Sequence, residues 1–206
     1  GAAGVILTSP FVPMLFMGEE YGEPAPFLYF VDHQDPSLLA AVREGRAVEA
    51  RQFGWTDPTR DPTQPSAFHD SCLTRVRDEG IWRFYRTLLA WRRTEPALAS
   101  RQRERTVARI SGDGRGLIME RRDPGQHLAI VWMPGTCDGP WELPLPPGRW
   151  RLRLEAAAPE FGGPGGVMPA RADNRTAVAV AAGSFSIWER LPWAEPGRSE
   201  REGSKW

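Results

Sequence analysis

Hydrophobic and polar positions divide the chain into two textures that meet near residue 100. In the first half, Met14-Leu15-Phe16-Met17 is a short continuous apolar run bounded by Pro13 and Gly18. Such a run predicts a strand buried on both faces, as in a parallel sheet. Residues 19–36 are rich in aromatics, prolines and acids and show no period. Leu38, Leu39, Ala41 and Val42 then fall on helical spacing, which predicts a helix over 37–51 with Ser37 as its cap. Residues 52–71 carry Pro58, Pro62 and Pro65 and read as an ordered loop. The clearest periodicity runs over 78–98: Ile81, Trp82, Phe84, Tyr85, Leu88, Leu89 and Trp91 recur at three- and four-residue steps. That spacing puts them on one helical face, with Arg83, Arg86, Arg92 and Arg93 elsewhere as a solvated surface.

After Pro96 the period changes. Short segments at 106–109, 117–121, 128–133, 150–154, 177–180 and 185–189 read as strands separated by Gly, Pro and Asp turns. They predict an all-β domain over 100–193; a sandwich is the class expected, although a barrel fits the strand pattern as well. From Ala194 onward the tail is charged and poor in hydrophobics, the composition of a disordered segment.

Composition narrows the partners. With 206 residues and 41% hydrophobic content the chain can bury one or two cores. Twenty-six basic residues balance twenty-six acidic ones, so no net field favours nucleic acid or an anionic membrane, and neither is an expected partner. Cys72 and Cys137 match no metal or redox spacing, which points to a reducing, cytoplasmic compartment; no cofactor or metal is expected. The apolar N-terminal residues lack a starting Met and a basic region and contain Pro10 and Pro13, so they predict neither a signal peptide nor a membrane anchor. A chain opening in mid-pattern reads as part of something larger.

Candidate chemistry gathers behind the predicted first strand. Glu19 and Glu20 follow it directly, where a parallel barrel would build its site. Neighbouring strand residues point to opposite faces, however, so the two cannot flank one scissile bond at about 5 Å as a retaining glycosidase pair does. In Phe27-Leu28-Tyr29-Phe30-Val31-Asp32-His33, aromatics stand beside an acid and a histidine, a composition suited both to stacking on sugar and to plugging a loop onto its own domain. His33 has no second His or Cys nearby and is a poor metal ligand. Phe53-Gly54-Trp55 reads as a loop anchor and residues 162–166 as a flexible glycine turn without the Lys-Ser/Thr of a phosphate loop. Ser184 and Ser186 lie in an alternating strand, not a nucleophile elbow.

Residues 8–22, Thr-Ser-Pro-Phe-Val-Pro-Met-Leu-Phe-Met-Gly-Glu-Glu-Tyr-Gly, resemble the eighth barrel strand and following loop of the α-amylase family of glycoside hydrolases. Pro13, Gly18 and Glu20 match that pattern; Phe16 stands where Tyr is usual, and Phe11 replaces its first glycine. The continuation over 26–33, then Gly45-Arg46 and Phe53-Gly54-Trp55, is similar to the malto-oligosyltrehalose trehalohydrolases rather than to branching enzymes. The similarity covers about residues 5–98 and, more loosely, the β domain. It implies a C-terminal fragment of a (β/α)₈ TIM barrel, with the last strand, loop and helix over 1–99, followed by the β domain. The implied activity is hydrolysis of the α-1,4 bond next to the terminal trehalose of maltooligosyl trehalose, an α-glucan substrate. The family's catalytic carboxylates belong to barrel strands that would precede residue 1, so no residue here is expected to be catalytic and the segment alone is expected to be inactive. Glu19, Glu20, Tyr21, Phe27, Tyr29 and His33 are the expected substrate-binding contributors. The alternative is a carbohydrate-binding or purely structural β domain of another α-amylase-family enzyme, such as a branching enzyme, with Trp132 and Trp141 as sugar platforms.

Overall fold

The computed structural model describes residues 1–54, 61–136 and 139–192. Trp55, Cys137 and the tail expected from Ala194 lie outside these. The described helices are α1 (Ala2–Thr8), α2 (Pro36–Gln52), α3 (Pro65–Asp70), α4 (Glu79–Thr94) and α5 (Pro96–Ala99). The strands are β1 (Thr106–Ile110), β2 (Leu117–Asp123), β3 (Gln126–Trp132), β4 (Trp141–Glu142), β5 (Trp150–Glu155), β6 (Arg171–Ala172), β7 (Ala177–Val178) and β8 (Phe185–Arg190). Two compact units result: Gly1–Leu15 with the described part of Glu79–Trp206, and Phe16–Asp78. They divide the chain differently from the domain boundary expected at residue 100, because α1, α4 and α5 pack on the sheet.

In the larger unit the main sheet is antiparallel throughout, in the order β1-β2-β3-β8-β5-β6, and β4 pairs β7 as a second small layer. The period-two alternation read from the sequence sets its two faces. Met119, Ile130 and Ile187 stand side by side across β2, β3 and β8, and with Leu128, Leu154 and Phe185 they meet Leu7, Phe84, Tyr85, Leu88 and Leu98 of the helices. Ile118, Ala129, Val131, Trp150 and Trp188 face the other way, under Trp141, Leu143, Leu145 and Val178 of the small layer. Each buried Leu, Ile, Val, Phe or Met among them contributes about 1.5–3 kcal/mol. The β half is therefore a sandwich with helices on one outer face. Ser186 lies inside it, fully buried, accepting the Trp188 indole N–H at 2.8 Å.

The helix expected over 78–98 forms as two. Residues preceding proline avoid the α region, and Glu95 is extended (ψ 116°), so α4 ends before Pro96 restarts the chain as α5. Arg121, 1% exposed, joins helices to sheet: its guanidinium donates to the carbonyls of Thr8 (2.7 Å), Leu98 (3.4 Å) and Ser100. Arg92 donates to the carbonyls of Leu7, Ser9 and Phe11. Both satisfy carbonyls that a helix C-terminus leaves open.

Three expectations for the first half need correction. Residues 14–17 form no strand; Met14 is 89% exposed and Met17 52%. A parallel strand needs hydrogen-bonded neighbours on both sides, and the described residues supply none. The helix after residue 36 is capped by Asp35, not Ser37: Asp35 Oδ1 accepts the Ser37 amide at 2.8 Å, and Pro36 takes the first helical position. The loop over 52–71 contains α3, started by Pro65 in the same way.

Candidate functional site

The six expected substrate-binding residues fall in the smaller unit, where two glycines set the backbone. Gly18 (φ 90°) and Gly22 (φ 71°) adopt the left-handed conformation and bracket a 3₁₀ turn over Glu19–Tyr21. The turn closes on itself: the Gly18 carbonyl accepts the amides of Tyr21 (3.2 Å) and Glu23 (3.0 Å), while Glu20 Oε2 accepts the Gly18 amide at 3.1 Å. Glu19 and Glu20 are thus turn residues, not the strand residues expected, and the alternating-face argument does not apply to them. Glu20 spends its carboxylate on the turn.

Glu23, outside the six expected residues, gathers the surroundings. Its Oε2 accepts the Tyr21 hydroxyl and the Arg75 amide, each at 3.1 Å; its Oε1 accepts the Ala25 amide (3.0 Å) and the Thr74 hydroxyl (2.7 Å). Burial alone would push this carboxyl up, but the amide of Ala25, the hydroxyl of Thr74 and the amides of Arg75 and Thr74 hold it down at about 2. The Tyr21 phenol is pushed up by burial, then by its hydrogen bond to Glu23 and the charges of Glu23 and Glu20. The one trace of this role in the sequence is position: Glu23 sits between Gly22 and Pro24, where a turn leaves amides needing an acceptor.

Residues 27–31 form no helix or strand, with the Leu28 amide on the Ser71 hydroxyl (3.0 Å) and the Val31 amide on the Pro62 carbonyl (2.9 Å). Their aromatic side chains stay largely open: Phe27 is 63% exposed and Tyr29 47%. Phe27 meets Phe16 edge to face at 5.0 Å, and the Arg46 guanidinium stacks over the Tyr29 ring at 5.0 Å. A cleft of about 150 Å³ lies between Phe16, Glu19, Glu23, Pro26, Phe27 and Leu73. That is below the roughly 300–1,000 Å³ of whole ligand pockets, so it has the scale of one subsite. Of the six expected residues the cleft brings together Glu19 and Phe27. Tyr21 touches it through Glu23, while Glu20, Tyr29 and the exposed His33 do not line it. Trp141 cannot serve as a sugar platform, being 3% exposed in the core with its indole N–H on Asp113 at 2.9 Å. Among the described residues no group of three His, Cys, Asp or Glu could hold a metal ion, and no helix is long and apolar enough to cross a membrane.

No family model matches the chain. Curated relatives do. A malto-oligosyltrehalose trehalohydrolase of Saccharolobus solfataricus is 47% identical over 92 residues, 45% of this chain and 15% of the relative. One from a Rhizobium species is 39% identical over 146 residues (68% and 24%), and one from Arthrobacter ramosus is 34% identical over 172 residues (80% and 28%). The chain belongs with the malto-oligosyltrehalose trehalohydrolases. It spans between 15% and 28% of the length of these three trehalohydrolases. Solved structures agree on the wider family of glycoside hydrolases: a putative α-amylase from Salmonella typhimurium superposes with a TM-score of 0.64 at 26% identity, over 92% of this chain and 30% of that one. The α-amylase of H. orenii shares the fold at a TM-score of 0.54 and 16% identity, over 92% of this chain and 34% of that one.

Proposed function

We propose that this chain is the C-terminal part of a cytoplasmic enzyme that frees trehalose by hydrolysing the α-1,4 bond next to the terminal trehalose of maltooligosyl trehalose. In that reading residues 1–99 derive from the end of a (β/α)₈ barrel, and 100–193 are the β-sandwich that follows it. The observation that carries the reading is the 47% identity over 92 residues to a relative of that name.

The geometry agrees with a supporting role. Glu20 accepts the Gly18 amide, and Glu23, which lines the cleft with Glu19, has both oxygens occupied by Tyr21, Ala25, Thr74 and Arg75, so the cleft does not present the pair of working carboxylates that a retaining or inverting mechanism requires. Phe16, Phe27 and Tyr29 offer aromatic faces and edges of the kind that pack on the apolar side of a sugar ring. This segment alone therefore binds glucan weakly and does not cleave it. The test is to incubate the purified chain with maltotriosyl trehalose and assay trehalose. No release above a heat-killed control is expected, with line broadening of the Phe16 and Phe27 ring signals on titration; trehalose release would overturn the reading. For a sugar-binding β domain, Trp141 is buried and only Trp132, half-buried at the end of β3, keeps an open surface.

A further inference from the structure

We propose that Glu23 is a positioning residue: by clasping the turn over 18–25 to the strap at Thr74–Arg75, it fixes Glu19 and Phe27 on the wall of the cleft. The inference rests on the reading of that cleft as a sugar subsite, but the clasp itself is built from the chain's own contacts.

Four donors converge on one carboxylate, two from each side. Tyr21 and Ala25 belong to the turn that carries Glu19; Thr74 and Arg75 lie about fifty positions further along. Both oxygens are used on both sides, so neither side closes without the other. The strap turns sharply at the contact: Arg75, whose amide reaches Glu23, takes φ 59°, the one non-glycine residue described in the left-handed region. Gly18 leaves the room required, since a Cβ there would stand 2.6 Å from the Glu23 Cβ. Two further bonds extend the same seam, from the Asp78 amide to the Tyr21 carbonyl (2.9 Å) and from the Leu28 amide to the Ser71 hydroxyl (3.0 Å). Segment 71–78 thus runs along the whole loop that holds Glu19 and Phe27. The cleft is lined by Glu23 itself and by Ser71 and Leu73 of the strap, so any slackening of the clasp opens the cleft wall.

The experiment uses the ¹⁵N-labelled 206-residue chain and its variants E23Q, T74V and T74S, with folding of each checked by amide dispersion. E23Q keeps the size of the side chain but turns one acceptor into a donor. T74V removes the strap hydroxyl, and T74S retains it. Amide exchange at Ala25 and Arg75 is expected to speed at least tenfold in E23Q and several-fold in T74V, and to stay at the wild-type rate in T74S; exchange in the sandwich, at Ile130 for example, stays unchanged. Maltotriosyl trehalose, titrated in parallel, is expected to bind E23Q at least fivefold more weakly than wild type, and T74S equally well. If the wild-type chain binds the sugar and E23Q binds it with the same affinity, the positioning role is overturned. If the wild type binds no sugar, the subsite reading fails, and exchange decides the clasp by itself: faster exchange at Ala25 and Arg75 in E23Q upholds it, and unchanged exchange overturns it.

Discussion

Glu120 lies on the sandwich face of β2, 3% exposed, with Arg109 and Arg122 (2.6 Å) and the His127 ring (2.9 Å) on its two oxygens. Burial would push its carboxyl up, but the hydrogen bonds from Arg122, Arg109 and His127 hold it down at about 2. A carboxyl depressed on folding stabilises the native state above its unfolded value and loses that contribution as the pH falls through the folded one. Melting temperature should accordingly fall between about pH 4.5 and pH 2. The variant E120Q should show a shallower fall over the same window and be less stable at pH 7 by about 1–2 kcal/mol; the figure is modest because both arginines remain partly in solvent. Thermal melts at pH 7, 4 and 3 measure both. Arg121 is the opposite case, a buried cation whose partners are three carbonyls and no carboxylate. R121A should cost about 3–5 kcal/mol in urea unfolding, because it leaves a cavity and strands the ends of α1 and α5 together.

Helix propensity and packing disagree at the start of α4. Ala for Gly inside a helix usually gains about 1 kcal/mol. At Gly80, however, an added Cβ would lie 2.4 Å from the Phe161 carbonyl oxygen and 2.8 Å from the Gly162 amide, both backbone atoms. G80A should therefore destabilise by about 1–3 kcal/mol by the same urea measurement, the reverse of the propensity ranking. The small β4–β7 layer supplies a second contrast. Loss of the Trp141 side chain in W141A should cost about 3–5 kcal/mol in stability and leave sugar titrations unchanged, as its core position requires.

Elements were legible where the periodicity and the final environment agree. Leu128, Ile130 and Val131 alternate between two buried faces, and Phe84, Tyr85 and Leu88 share one stripe, so local pattern and tertiary packing demand the same structure. Met14–Met17 shows the limit: an apolar run states that a segment can be buried, but a strand exists only with partners, and these are not written in the run itself. The two-residue strands β4 and β6 are too short to carry a period. At the site, Phe27 and Glu19 could be found from composition and place. Glu23 could not, because its role comes from Thr74 and Arg75, whose nearness depends on how residues 18–78 fold back.

For the whole molecule, the match to known trehalohydrolases and the sandwich architecture describe a chain whose two units are sewn differently. Phe16–Asp78 is continuous in sequence, whereas the larger unit joins Gly1–Leu15 to residues beyond Glu79. The Arg121 bond to the Thr8 carbonyl spans 113 positions. Chains grow at about 5–20 residues per second, so on the ribosome α1 waits roughly 6–23 s between its own emergence and that of the side chain that caps it. During that interval Leu7, fully buried in the finished unit, waits for the residues of β2, β3 and β8 that pack on it. Slower translation of residues 16–120 would lengthen that wait in proportion.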